Sequence, residues 1–141
     1  MILYLDASAI VKLLVDEPGS AEALDLWASA TRAASSRIGA VEARAALAAG
    51  RRASRLPQQL YRRATTALES RSRQMVQIDV SAPIASLASR LTDARGLRGC
   101  DAIHLASALV LGRDDVTFLT WDGAQARAAL DEGLAVAGAT L

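Results

Sequence analysis

The stretch Ile2-Leu3-Tyr4-Leu5-Asp6-Ala7-Ser8-Ala9-Ile10-Val11 decides how the rest of the chain is read. Four apolar residues in a row, without polar alternation, describe a strand buried on both faces, the kind that builds parallel sheets covered by helices. Asp6 ends the run, and a helix is predicted from Ala7 to Val15, closed by Pro18-Gly19. Because Asp6 interrupts the apolar residues almost at once, Met1 to Leu5 does not read as a signal peptide.

The alternation continues downstream. Ser20 can cap a helix running to Ala30, and Ala33 to Ser36 forms a weak strand. Ile38, Val41, Ala45 and Ala48 mark the apolar face of the next helix. Leu56, Leu60, Ala64 and Ala67 mark that of the helix after it, whose other face is rich in arginine. A strand over Met75 to Val80 precedes a helix over Ala82 to Ala94 and a turn at Gly96-Leu97-Arg98-Gly99. Ile103 to Leu111 is apolar nearly all round, so that helix is expected to be buried. A strand over Val116 to Thr120, a helix over Gly123 to Asp131 and an edge strand over Leu134 to Ala139 complete the chain. Alanine supplies 31 of the 141 residues and favours the helices throughout. The pattern predicts one α/β domain over residues 1–141, with a mostly parallel sheet of four to five strands and helices on both faces.

Composition agrees with a single domain. A chain of 141 residues, 52% hydrophobic and 22% charged, can bury a core and is not disordered. No apolar run approaches the roughly 18–20 residues a membrane span needs. One cysteine, Cys100, and one histidine, His104, exclude a disulfide framework and an ordinary structural zinc site, and a reducing, cytoplasmic compartment is the simplest expectation.

The net charge of +1 conceals a basic centre. Residues 32–98 carry 13 arginines against four acids, while the flanking segments are each acidic by four charges. Clustered arginine suits a polyanionic partner such as an RNA backbone, although alanine- and arginine-rich helices can also simply expose solvated charge. Aromatic residues make up only 4%, which argues against recognition built on base stacking.

In a parallel sheet, ligands bind beyond the carboxyl ends of the strands. Asp6 follows the first strand, Glu42 lies in the helix after the second, Asp101 begins the buried helix and Asp122 follows the strand ending at Thr120. All four acids are therefore expected at one rim. Singly, the three aspartates read equally well as N-caps and Glu42 as a carboxylate favoured by the helix dipole. Together they repel unless protons or a divalent cation neutralise them. Oxygen donors with no histidine or cysteine among them favour Mg²⁺ or Mn²⁺, and such a site beside a basic flank suggests phosphodiester hydrolysis.

Four segments carry a resemblance: Tyr4-Leu5-Asp6-Ala7-Ser8-Ala9, Ser36-Arg37-Ile38-Gly39-Ala40-Val41-Glu42, Cys100-Asp101-Ala102-Ile103-His104-Leu105-Ala106 and Phe118-Leu119-Thr120-Trp121-Asp122. In order and spacing they resemble the acidic motifs of PIN-domain ribonucleases, above all the VapC-type toxins of type II toxin–antitoxin modules. The resemblance implies an α/β/α sandwich, Mg²⁺- or Mn²⁺-dependent RNA cleavage, homodimerisation and inhibition by a VapB-type antitoxin. It assigns Asp6 and Asp101 to direct metal contact. Glu42 and Asp122 take the other two acidic positions, and Ser8 orients Asp6 or a water. Trp121 and Gly123 depart from the usual form of the fourth motif. The antitoxin is expected on apolar stripes of the early helices, near Leu24, Leu26 and Trp27.

Other residues have plainer readings. His104 reads as a packed, hydrogen-bonded histidine and not as an acid–base partner of Asp101, and Cys100 as a small buried hydrophobe. Two alternatives stay open: an RNA-binding or interaction module of the same fold without turnover, and a haloacid-dehalogenase-type phosphotransfer enzyme with Asp6 as nucleophile. The latter expects a second aspartate where Ser8 stands and a later lysine, whereas Lys12 is the only lysine.

Overall fold

The computed structural model describes residues 1–140 and alternates strand and helix as the hydrophobic pattern requires. The elements are β1 (Ile2–Leu5), α1 (Ala7–Lys12), α2 (Ser20–Ser29), β2 (Arg32–Ser36), α3 (Arg37–Arg52) and α4 (Gln58–Gln74), followed by β3 (Val76–Ile78), α5 (Ala82–Arg95), α6 (Gly99–Leu109), β4 (Val116–Thr120), α7 (Gly123–Asp131) and β5 (Ala135–Gly138). The strands form one sheet in the order β3-β2-β1-β4-β5, with every neighbouring pair parallel. Strand β1 is central, with Leu3 opposite Ala33 on one side and Thr117 on the other.

The pleat of β1 and β4 divides the core into two layers. Tyr4, Val116 and Phe118 meet Ile84 and Leu91 of α5, Leu105 of α6 and Ala129 of α7 on one face. Leu3, Leu5 and Leu119 meet Ile10 of α1, Ala23 of α2, Ala43 of α3 and Leu68 of α4 on the other. Each layer removes large side chains from water at roughly 1.5–3 kcal/mol apiece, which is why both helical layers stay on the sheet.

Several expectations need correction. Helix α1 stops at Lys12, three residues short of Val15, and Leu13 is its C-cap. Gly19, not Ser20, is the N-cap of α2, because the chain turns there at φ 94° and the Trp121 indole lies 2.7 Å from where a side chain would begin. The Ser20 hydroxyl instead donates to the Val15 carbonyl and accepts the Glu17 N–H, which closes the preceding loop. Strand β3 is shorter than the Met75 to Val80 run. The buried face of α3 is Gly39, Ala43 and Leu47, whereas Val41 is 70% exposed. Alanines on every side of α3 make its apolar stripe ambiguous in sequence, and the close approach of α1 at Gly39 settles it. Cys100 is exposed in the first turn of α6, ahead of the part the sheet covers. Trp27 is half-buried beneath the Arg71 guanidinium at 4.8 Å, while Leu24 is exposed. No helix among the described residues is long and apolar enough to cross a membrane.

Candidate functional site

The chain runs outward from β1 through β2 to β3 and then crosses to β4 and β5, so the sheet changes direction between β1 and β4. Beyond the carboxyl ends of those two strands a cleft of about 130 Å³ is lined by Asp6, Ser8, Glu42, Asp101 and Asp122, together with Arg98, His104 and Gln125. The switch point of an open parallel sheet is where such a cleft is expected.

Asp6 is the best-held of these residues. It is 1% exposed and serves as N-cap of α1, its Oδ1 accepting the Ala9 N–H at 2.9 Å and the Ser8 hydroxyl at 2.7 Å. Its Oδ2 accepts the Thr120 hydroxyl at 2.5 Å and the Gln125 amide at 3.1 Å. Burial raises the Asp6 carboxyl above its ordinary value, against the hydrogen bonds from Thr120, Ala9 and Ser8 that pull it down. Ser8 and Thr120 join the two strand ends: Ser8 Oγ accepts the Trp121 N–H at 2.9 Å, and Thr120 Oγ1 accepts the Asp122 N–H at 2.9 Å. Ser8, expected to orient Asp6 or a water, is hydrogen-bonded to Asp6 Oδ1.

Asp101 lies in the first turn of α6, whose N-cap is Arg98. Its Oδ2 takes the Arg98 Nε–H at 2.9 Å, and that bond in turn raises the Arg98 guanidinium. Its Oδ1 accepts from Gln125 Nε2 at 3.1 Å, so a single amide spends both hydrogens on Asp6 and Asp101. Gln125 is buried, and its Oε1 has no partner among the described residues. Sequence reading missed Gln125 and Thr120. Each lies within three positions of Asp122, and a lone glutamine among the alanines of the helix that Asp122 opens was the only available signal.

Asp122 is the N-cap of α7, its Oδ1 accepting the N–H groups of Ala124 and Gln125 at 2.8 and 3.0 Å. Glu42 reaches the cleft from the second turn of α3, and its Oε1 lies 2.7 Å from His104 Nε2. His104 is packed and hydrogen-bonded, as its buried helix suggested. Capping and site-lining therefore coexist in Asp6 and Asp122: the Oδ1 of each caps its helix, and both side chains border the cleft.

A PIN-domain profile matches residues 3–130, nearly the whole chain. The chain is 40% identical over 121 residues to Ribonuclease VapC49 of Mycobacterium tuberculosis H37Rv, covering 86% of this chain and 84% of that protein. Among solved structures, PAE2754 from Pyrobaculum aerophilum superposes with a TM-score of 0.71 at 20% identity, over 96% of this chain and 83% of that one. A toxin–antitoxin complex from Klebsiella pneumoniae superposes with a TM-score of 0.60 at 21% identity, over 85% and 86% of the two chains. With a profile match of that extent and a curated relative of that identity, the chain belongs to the PIN-domain family.

Proposed function

We propose that this chain is a divalent-metal-dependent endoribonuclease acting as the toxin of a type II toxin–antitoxin pair. The observation that carries the reading is the convergence of Asp6, Glu42, Asp101 and Asp122 on one cleft, in a chain 40% identical to a ribonuclease. Their donors are all carboxylate oxygens, burial raises the Asp6 carboxyl, and the buried Gln125 Oε1 has no partner among the described residues. That chemistry fits Mg²⁺ or Mn²⁺. Asp6 and Asp101 would hold the ion, with Glu42 and Asp122 beside it. Among the described residues no three acidic, histidine or cysteine side chains stand close enough to enclose an ion by themselves. An open shell completed by water and substrate phosphate agrees with the habit of Mg²⁺. When bound, the ion supplies positive charge to the scissile phosphate and the attacking water.

The protein's own groups do the rest. Ser8, Thr120 and Gln125 fix the Asp6 oxygens, and the same Gln125 amide donates to Asp101. Arg98, 82% exposed on its side chain, is free to leave Asp101 for a phosphate. Hydrolysis breaks the P–O3′ bond, leaving a 5′-phosphate and a 3′-hydroxyl. The phosphotransfer alternative is not supported, because the single lysine, Lys12, is engaged by Glu17 at 2.8 Å and lies over the Trp121 ring.

An antitoxin segment and a second copy of the chain are the proposed partners. An apolar cleft of about 840 Å³ between α1, α3 and α4, bordered by Val11, Leu14, Leu47, Leu56 and Leu60, supports an amphipathic segment better than the half-buried Trp27 does. Cleavage of single-stranded RNA by the purified chain, with Mg²⁺ or Mn²⁺ and with EDTA, tests the activity. Asp6→Asn and Asp101→Asn are each expected to lower turnover by at least about 10²-fold without unfolding the chain. Cleavage unaffected by EDTA, or either variant near wild-type rate, would overturn the assignment.

A further inference from the structure

Two hydrogen bonds seat the His104 ring, one to Glu42 and one to Tyr4. The Glu42 carboxylate can only accept, so His104 Nε2, 2.7 Å from Glu42 Oε1, carries the hydrogen. In a neutral ring Nδ1 is then an acceptor, and it lies 2.9 Å from the Tyr4 hydroxyl. The Tyr4 oxygen accepts the Ser36 N–H at 3.0 Å, and donating its own O–H to His104 Nδ1 completes the assigned arrangement. All donors point the same way, from the end of β2 through Tyr4 and His104 to the cleft.

The chain of bonds is also rigid. Tyr4 is buried and stacked on Phe118, with ring centroids 5.2 Å apart, and meets the His104 ring edge-on at 6.0 Å. His104 is buried, and its Cε1 comes within 3.4 Å of the Cβ position on Gly39, one helical turn before Glu42. Glu42 by contrast is a long side chain at the cleft with about a third of its surface exposed, and so has rotamers to choose among. A locked donor selects one of them. The imidazole N–H is aimed at Glu42 and not at Asp101, although Asp101 is the acid on its own helix face.

We propose that His104, held as its Nε2–H tautomer by Tyr4, is a positioning residue that fixes the Glu42 carboxylate at the cleft. This rests on the ribonuclease reading only in taking Glu42 as one of the working carboxylates. Outer hydrogen-bond partners of metal-site ligands typically account for about 10- to 100-fold in metal affinity or activity, and an effect of that size is expected here.

Three measurements test it. In the metal-free wild-type protein, the ring ¹⁵N resonances are expected to show a protonated Nε2 and an unprotonated Nδ1. A mixture of tautomers, the opposite tautomer or a doubly protonated ring would overturn the proposal. His104→Leu, which keeps an apolar side chain of similar bulk, is expected to lower kcat about 10- to 100-fold while KM for RNA changes less than about threefold. His104→Gln, which returns an amide donor toward Glu42, is expected to recover most of that loss. Equal impairment of both variants at matched thermal stability would show a packing role only. Calorimetric Mn²⁺ titration of wild type and His104→Leu is expected to show weaker binding by the variant, and equal binding would overturn the proposal. If the wild-type protein cleaves no RNA with either ion, the ribonuclease reading falls, while the ¹⁵N spectrum and the Mn²⁺ titrations still decide the positioning role.

Discussion

Replacing Gln125 with glutamate puts a third acid between two others at almost constant volume. In the wild-type protein, Gln125 Nε2 lies 3.1 Å from both Asp6 Oδ2 and Asp101 Oδ1. The introduced carboxylate, if ionised, would set negative oxygen against negative oxygen at each contact. At an effective dielectric constant near 20, unit charges about 3 Å apart repel by about 5 kcal/mol per pair, so ionisation against both neighbours costs about 10 kcal/mol. Keeping a proton is cheaper. It costs about 1.4 kcal/mol for every pH unit above the ordinary glutamate value of about 4.3, or about 5 kcal/mol at pH 8. The protonated acid still donates one hydrogen bond where the amide donates two, a further loss of about 1 kcal/mol. The folded pKa of the introduced acid is therefore raised. Its contribution to stability is fully present below about pH 4.3 and declines as pH rises toward that folded pKa. Urea unfolding in EDTA at several pH values from 5 to 8 should show the gap between Gln125→Glu and wild type widening by about 1.4 kcal/mol per pH unit, and Mn²⁺ should narrow it. A gap that stays flat with pH, or below about 1 kcal/mol at pH 8, would refute the idea that Gln125 holds the two carboxylates together.

Two further outcomes follow from the same geometry. The folded pKa of Asp6 is raised above its ordinary 3.8, so the stability it contributes is present below that value and lost as pH rises through the folded pKa. Stabilisation by Mn²⁺, read as the shift in Tm, should accordingly be larger at pH 7.5 than at pH 4.5, and equal shifts would remove Asp6 from the ion's neighbourhood. Arg62 and Arg63 are both exposed on α4, so replacing both with alanine should flatten the plot of log affinity for single-stranded RNA against log salt by up to about 1.4. An unchanged slope would make that face a solvated surface.

What the sequence determined was local. A run of four apolar residues makes β1 a buried strand wherever it sits, and the acid that ends it becomes a cap, because an aspartate beside free helix amides has few better partners. The same reasoning put Asp122 at the head of α7, and the order of strands and helices then required the carboxylates to share a rim. The all-round apolarity of Ile103 to Leu111 likewise announced that α6 is buried. Tertiary structure decided whatever depended on which surface of an element meets which neighbour. Helix α3 carries alanine on every side, so its own periodicity could not choose between the Val41 face and the Leu47 face. The fit of Gly39 against Ile10 and Ser35 chose it, and that choice turned Glu42 toward His104, 62 residues away in sequence. Gln125 is the same case at the site: its hydrogen bonds are to acids 119 and 24 residues distant. Such pairings arise only when separate strands end side by side, because hydrophobic periodicity reports burial and is silent about which polar group waits across the interface.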